Sequence, residues 1–147
     1  MEAVYFGCND LAPLPNGSMP ECRTGPYVMA DLERMHGMMN KSLPPTYLDP
    51  VPEFVVAMVK GEAGHMAIKV GDGQRGASLR SVYDGPRPPG YERMHKEGAI
   101  VLGIGGDNSP WGDGTWFEGV MTKGYTSEAT DAAAMANVVA AAYSRYA

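Results

Sequence analysis

The chain has 147 residues, a length that fits one domain, and 44% of them are apolar, which is enough to fill a single core. Its 17 acidic and 12 basic residues give a net charge of -5 without any run of Lys or Arg, so nucleic acid and anionic membrane surfaces are poor candidate partners. No stretch reaches the roughly 18 consecutive apolar residues of a membrane span, and we expect a soluble chain.

Glycine and proline together make up about a fifth of the residues, which is typical of short strands joined by tight turns. In chain order, runs rich in β-branched or aromatic residues predict seven strands, near residues 2–6, 26–32, 53–60, 65–70, 77–83, 98–104 and 115–122. In the fifth strand, alternation places Ala77, Leu79, Ser81 and Tyr83 on one face and Ser78, Arg80 and Val82 on the other. The sixth, "AIVLGIGG", is almost continuously apolar and is expected at the middle of a sheet.

The connecting segments have turn or linker composition. "GDGQRG" (residues 71–76) is predicted to be a hairpin loop, and "LPPTYLDPVP" (43–52) a rigid, extended linker. "DGPRPPGYERMHKEG" (84–98) is too rich in Pro and Gly to continue either neighbouring strand.

One helix is predicted, over the final segment 126–147. Thr126 or Ser127 can cap it, and Glu128 and Asp131 lie in its first turn, where the helix dipole favours acids. An apolar stripe is expected to pack on a sheet: Met135, Val138, Val139, Ala142 and Tyr146. The elements together predict a single domain, residues 1–147, that is mainly β: part of an antiparallel β-sandwich with a C-terminal helix.

Four acids lie in or beside predicted strands: Asp31, Glu33, Asp107 and Glu118. Asp31 and Glu33 are two residues apart, so a strand presents both on one face. Paired carboxylates in an apolar setting can supply a nucleophile and a proton donor, as glycoside hydrolysis requires. Trp111 and Trp116 favour this interpretation slightly, because aromatic rings flank sugars in binding clefts. The commoner alternative is that these acids face solvent and that "GGD" is an ordinary turn.

Other chemistry is not indicated by the sequence. The three histidines, His36, His65 and His95, have no metal-binding spacing and no carboxylate pattern joins them, so each is expected to be a surface or hydrogen-bonded residue. No nucleophile elbow surrounds a serine, and neither a metal nor a cofactor is expected. Cys8 and Cys22 flank a turn-rich loop, which leaves both a disulfide and two free thiols open.

Five segments, in this order and spacing, resemble the catalytic domain of glycoside hydrolase family 54, the fungal and bacterial α-L-arabinofuranosidases: "GPYVMADLE", "VAMVKGEAGHMAIKVGDGQ", "KEGAIVLGIGGDNS", "FEGVMTKGY" and "ANVVAAAY". The similarity covers almost the whole chain. It implies a concanavalin-like β-sandwich and a retaining enzyme that releases terminal α-L-arabinofuranose from arabinan or arabinoxylan.

The resemblance also implies roles for individual residues. Glu33 matches the family's nucleophile and Asp107 its acid/base, while Asp31 matches an acid that contacts the sugar and Gly106 lies beside the acid/base. We add Asn108 and Glu118 to the expected substrate-binding residues. The family implies secretion, and we therefore predict a disulfide between Cys8 and Cys22.

The chain also departs from the family pattern, since it resembles only the C-terminal half of the catalytic domain. The earlier strands, with an adjacent cysteine pair under the arabinose, have no counterpart, and Arg34 and Met35 replace the usual Asn-Gly after Glu33. Three interpretations follow: a half-domain that is active with a second chain, a non-catalytic glycan-binding or structural module, and a self-assembling protein whose strand edges pair between copies.

Overall fold

The computed structural model describes residues 2–7, 27–34, 38–39, 46–47, 53–74, 78–91 and 115–143. In the first four of these ranges it describes the backbone and, of the side chains, Val4 and Val28. The predicted strand at 98–104, Cys8, Cys22 and two of the histidines lie outside these residues.

The first sheet is built around one central strand. β2 (Tyr27–Arg34) pairs antiparallel with β1 (Glu2–Gly7) along its length, with Val4 opposite Ala30. Its two ends pair with the two-residue strands β3 (Met38–Met39) and β4 (Thr46–Tyr47). Because β2 has neighbours at both ends and along one side, its position in the sheet is fixed.

The second sheet is an antiparallel meander of three strands. β5 (Val55–Glu62) pairs with β6 (His65–Asp72), and β6 pairs with β7 (Arg80–Pro86). Residues 63–64 close the first hairpin, where Gly64 has a φ of 76°, a left-handed conformation that costs glycine little. The loop predicted at 71–76 does join β6 to β7, and the backbone N–H of Gln74 donates to Oδ1 of Asp72 there at 2.9 Å.

Five of the seven predicted strands are confirmed, with boundaries shifted by up to three residues. Three predictions were wrong. β4 lies inside the predicted linker at 43–52, and β7 continues to Pro86, into the segment that was expected to break it. Residues 115–122 form no strand: apolar alternation predicted one, but a strand also needs a hydrogen-bonded neighbour, and none of the described strands pairs with them.

The core lies between the two sheets. Val28 of β2 is fully buried with alternate residues of β6, namely Met66, Ile68 and Val70. Partly buried side chains from both sheets pack around them, among them Val4, Val55, Ala57 and Val59. Two antiparallel sheets therefore face each other across an apolar layer, as in part of a β-sandwich.

A β-bulge alters the predicted faces of β7. Ile68 is opposite Tyr83, yet the next residue of β6, Lys69, is opposite Ser81, so Val82 is an extra residue. Val82 and Tyr83 both pack against the core, although strict alternation assigned them to opposite faces.

The predicted helix is confirmed as α1 (Glu128–Ala141). Ser127 is its N-cap, because its hydroxyl accepts a hydrogen bond from the backbone N–H of Thr130 at 3.2 Å. α1 packs on the side of the second sheet away from the core, which we call the outer face and define by Lys60, Ala67, Lys69 and Gly71. The protein is thus mainly β with one C-terminal helix. None of the described helices is long and apolar enough to cross a membrane.

Candidate functional site

Two of the predicted site residues, Asp31 and Glu33, lie in β2, the central strand of the first sheet. Asp31 is opposite Ala3 of β1, and Glu33 is opposite Met39 of β3. The backbone of each acid is therefore held by one strand pairing, Asp31 by β1 and Glu33 by β3. β2 continues beyond the predicted end at residue 32, so both acids lie in one strand.

The remaining predicted residues are distributed differently. Gly106, Asp107, Asn108 and Trp111 lie outside the described residues. Glu118 is exposed, in the segment that was wrongly predicted to be a strand. It forms a hydrogen bond with Tyr143, just beyond α1. Partial burial of the Tyr143 phenol is the main cause that raises its pKa above the ordinary value, and the bond to Glu118 raises it further.

Aromatic rings hold the segment around Glu118 in place. The ring of Phe117 lies 5.2 Å from that of Phe54 and 5.1 Å from that of Tyr143, between centroids. Trp116, Val120 and Met121 of the same segment are exposed, Val120 by 74%. The segment thus has one ring anchored and several apolar side chains facing outward.

Sequence reasoning missed a buried charged cluster between the second sheet and α1. Lys60 of β5 and Lys69 of β6 are 4% and 2% exposed, and their Nζ atoms lie 2.6 and 2.7 Å from Oδ2 of Asp131 in α1, which is 2% exposed. Lys69 also donates to Oε1 of Glu128 at 2.5 Å, and the hydroxyl of Thr126 donates to Oδ1 of Asp131 at 2.5 Å. Both oxygens of Asp131 are therefore hydrogen-bonded.

The cluster shifts the pKa values of its members in opposite directions. Burial alone would raise the pKa of the Asp131 carboxyl, but the bonds from Lys60, Lys69 and Thr126 outweigh it and lower that pKa below its ordinary value. Burial likewise opposes the charge on Lys69, and its bonds to Asp131 and Glu128 reverse the effect and raise its pKa. Both shifts favour the charged forms of Asp131 and Lys69, and the bond between these two residues links α1 to the sheet.

A signal for this cluster is present in the sequence. Both lysines interrupt otherwise apolar strands, "VVAMVKGE" and "HMAIKVGD", at interior positions. Lysine is rarely buried without a partner, so two such residues in neighbouring strands indicate a buried carboxylate elsewhere. Asp131 was instead assigned only to the helix dipole.

The aromatic ring of Tyr125 joins this cluster to a second, exposed pair. Lys60 Nζ lies 4.2 Å above the ring centroid, and the His65 ring meets Tyr125 edge-on at 5.7 Å. His65 Nε2 is 2.7 Å from Oδ1 of Asp84. His65 is thus hydrogen-bonded, as predicted, although its carboxylate partner was not foreseen. Among the described residues, no group of three or more His, Cys, Asp or Glu side chains could hold a metal ion.

Comparison with known proteins places the chain in a family. The family described as "Alpha-L-arabinofuranosidase B, catalytic" matches residues 1–144, and the chain belongs to it. Similar proteins include an "Arabinofuranosidase/B-xylosidase" of Trichoderma koningii and a "Probable alpha-L-arabinofuranosidase B" of Aspergillus fumigatus, each 47% identical over 97% of this chain. An "Alpha-L-arabinofuranosidase" of Hypocrea jecorina is 46% identical over the same share. The chain spans 28% of the length of each of these relatives. No solved structure matches it.

Proposed function

We propose that this chain carries the catalytic carboxylates of a retaining α-L-arabinofuranosidase. The observation that carries the proposal is the family match over residues 1–144, within which both Glu33 and Asp107 are present. The structure adds that Glu33 lies near the end of β2, where its backbone pairs with Met39 of β3, and a position on a paired strand favours precise placement of a nucleophile.

The proposed reaction has two steps. The carboxylate of Glu33 attacks the anomeric carbon of arabinofuranose, while Asp107 gives its proton to the departing glycosidic oxygen. Asp107 then removes a proton from water, which attacks the anomeric carbon and releases Glu33. The negative charge of Glu33 favours the protonated form of Asp107 before the first step.

The strand arrangement supports a site away from the core. Val28 of β2 is fully buried between the sheets, and positions 31 and 33 come three and five positions after it along the strand. The twofold period of a strand assigns these positions to the face opposite that of Val28. Asp31, Gly106, Asn108 and Glu118 are proposed to bind the sugar beside the two catalytic residues.

The substrate is proposed to be a glycan with terminal arabinofuranose, such as arabinan or arabinoxylan, and the protein is proposed to act outside the cell. Secretion would permit the disulfide predicted between Cys8 and Cys22. Mass spectrometry of freshly secreted protein, with and without reductant, tests the bridge, and two free thiols would contradict it.

We further propose that a second set of strands completes the pocket, supplied by another chain or by a longer form of this one. The chain spans 28% of its relatives' length, and the segment 115–122 presents Trp116, Val120 and Met121 to solvent. A cluster of exposed apolar side chains is typical of a surface that contacts another chain. Light scattering over a dilution series tests this: we expect association, and a stable monomer of 15.7 kDa with a cooperative melt would contradict it.

The same exposed segment favours one alternative, a non-catalytic glycan-binding or self-assembling module derived from this fold. An activity assay distinguishes the enzyme from the non-catalytic module. We would assay the chain, alone and combined with the rest of the catalytic domain of a relative, for release of nitrophenol from an aryl α-L-arabinofuranoside. Absence of release in both preparations would favour the module.

Two variants test the assigned roles in an active preparation. Glu33→Gln should abolish release, whereas the matched change Glu62→Gln, at an exposed position at the end of β5, should leave it unchanged. Asp107→Asn should slow substrates with poor leaving groups far more than a dinitrophenyl substrate, because only the former need the proton. Equal slowing of both substrates would contradict the role of Asp107.

A further inference from the structure

The outer face of the second sheet carries charge where a sheet covered by a helix is normally apolar. Lys60 and Lys69 are neighbours there, in β5 and β6, and α1 covers both so that each is less than a twentieth exposed. Whenever α1 is docked, two ammonium groups are removed from water. Such charges must then be paired, since an unpaired buried charge is strongly unfavourable.

α1 meets this face in a defined register along β6. Asp131 contacts Lys69, and Met135, four residues later, lies beside Gly71, two residues after Lys69. The Met135 methyl group is so close that a β-carbon added to Gly71 would lie 3.0 Å from it. Four helical residues rise about 6 Å, and two strand residues rise about 6.6 Å. The two contacts therefore match in spacing, and the helix runs along the strand in the same direction.

Docking of α1 requires that these buried charges stay paired. Asp131 and Met135 are the only buried side chains of α1. Asp131 faces both lysines, and Glu128, the other acid near them, is 82% exposed. Removing the charge of Asp131 would leave two buried ammonium groups opposite a single solvated carboxylate.

The core lies on the other face of the second sheet from these contacts. Met66, Ile68 and Val70 face the first sheet, whereas Lys69 and Gly71 alternate with them on the outer face. We propose that α1 is a separable strap, held on the outer face by the buried charge of Asp131, which can detach as a unit while the two-sheet core stays folded. The groups bonded to Asp131 are Lys60 and Lys69 from the sheet and Thr126 from its own segment, and Glu128 binds Lys69 beside them.

Hydrogen exchange of the 147-residue chain, followed by mass spectrometry of peptides, tests the strap. Asp131→Asn keeps the shape of the side chain and removes its charge. We expect protection of the α1 amides to fall by about a hundredfold or more, the effect of breaking a buried ion pair, while protection of β6 is unchanged. Glu128→Gln, at a largely exposed position, is the matched control and should change α1 protection by less than about tenfold.

A further variant tests whether unpaired buried charge causes the loss of α1 protection in Asp131→Asn. The triple change Lys60→Met, Lys69→Met and Asp131→Leu replaces the three buried charges of the cluster by apolar side chains, and it should restore protection of α1. Three outcomes would overturn the proposal: Asp131→Asn leaves α1 protected, it removes protection from β6 as well, or the triple variant stays as unprotected as Asp131→Asn.

Discussion

Replacing Lys69 by Met should change stability far less than replacing Asp131 by Ala, although the two residues share a hydrogen bond of 2.7 Å. The reason is the charge count of the cluster. Without Lys69, Lys60 and Asp131 remain as a neutral buried pair 2.6 Å apart. Without Asp131, two buried ammonium groups remain, and their nearest acid, Glu128, is 82% exposed.

The magnitudes follow from these contacts. Lys69→Met loses the bond to the buried Asp131, worth about 1.5–3 kcal/mol, and the bond to the largely exposed Glu128, worth about 0–1 kcal/mol. It also removes a buried ammonium group, whose burial costs several kcal/mol. The two effects nearly cancel, and we expect a change within about 1.5 kcal/mol. Loss of Asp131 leaves buried charges uncompensated and should cost about 3–5 kcal/mol.

Urea unfolding of α1, followed by far-ultraviolet circular dichroism, measures both changes. For an m-value of about 2 kcal/mol/M, a loss of about 4 kcal/mol lowers the midpoint by roughly 2 M. Lys69→Met should lower or raise it by less than about 1 M. Equal destabilisation by the two substitutions would refute the charge-counting argument, since it would mean that each residue contributes only its hydrogen bonds.

Three further predictions concern the way α1 is placed. Gly71→Ala should destabilise α1 by about 1–3 kcal/mol in the same urea assay, because its β-carbon would lie 2.9 Å from the backbone oxygen of Ser78 and 3.0 Å from Met135; an unchanged midpoint would contradict this packing. Ser127→Ala removes the acceptor for the N–H of Thr130 and should lower the stability of α1 by about 1 kcal/mol. Ser127→Asp keeps an acceptor at the N-cap and should retain that stability. Docking of α1 should be independent of pH near neutrality: the lowered pKa of Asp131 means that its contribution is present above the ordinary carboxyl value of 3.8 and is lost only as pH falls through the lowered pKa. The raised pKa of Lys69 means that its contribution is present below 10.5 and is lost as pH rises through the higher value, so a circular dichroism titration that melts α1 near neutral pH would contradict both shifts.

The strands of the second sheet were predictable because their signal is local. "VVAMVKGE" and "HMAIKVGD" are rich in β-branched residues and are separated by a turn, so β5 and β6 appear close to their predicted positions. The N-cap at Ser127 is equally local, since it depends on one side chain and the residues just after it. Family resemblance contributed the catalytic assignments, which composition and spacing could not.

Contacts between residues distant in the sequence account for the features of the fold that were not predicted. Residues 115–122 have the apolar pattern of a strand, but no described neighbour pairs with them, and neighbours are chosen by tertiary structure. The short strand β4 exists because β2 lies beside it, despite the prolines in its segment. The bulge at Val82 shifts one residue out of register, which no pattern within β7 reveals.

The role proposed for Glu33 is that of the nucleophile of an arabinofuranosidase. It is tested most directly by trapping the covalent intermediate with an activated fluoro-arabinofuranoside and locating the label by peptide mass spectrometry. The label should add the mass of one sugar to the peptide that contains Glu33, and Glu33→Gln should prevent labelling. Turnover of substrate with the label on another carboxylate, or with no covalent label at all, would show that Glu33 is not the nucleophile.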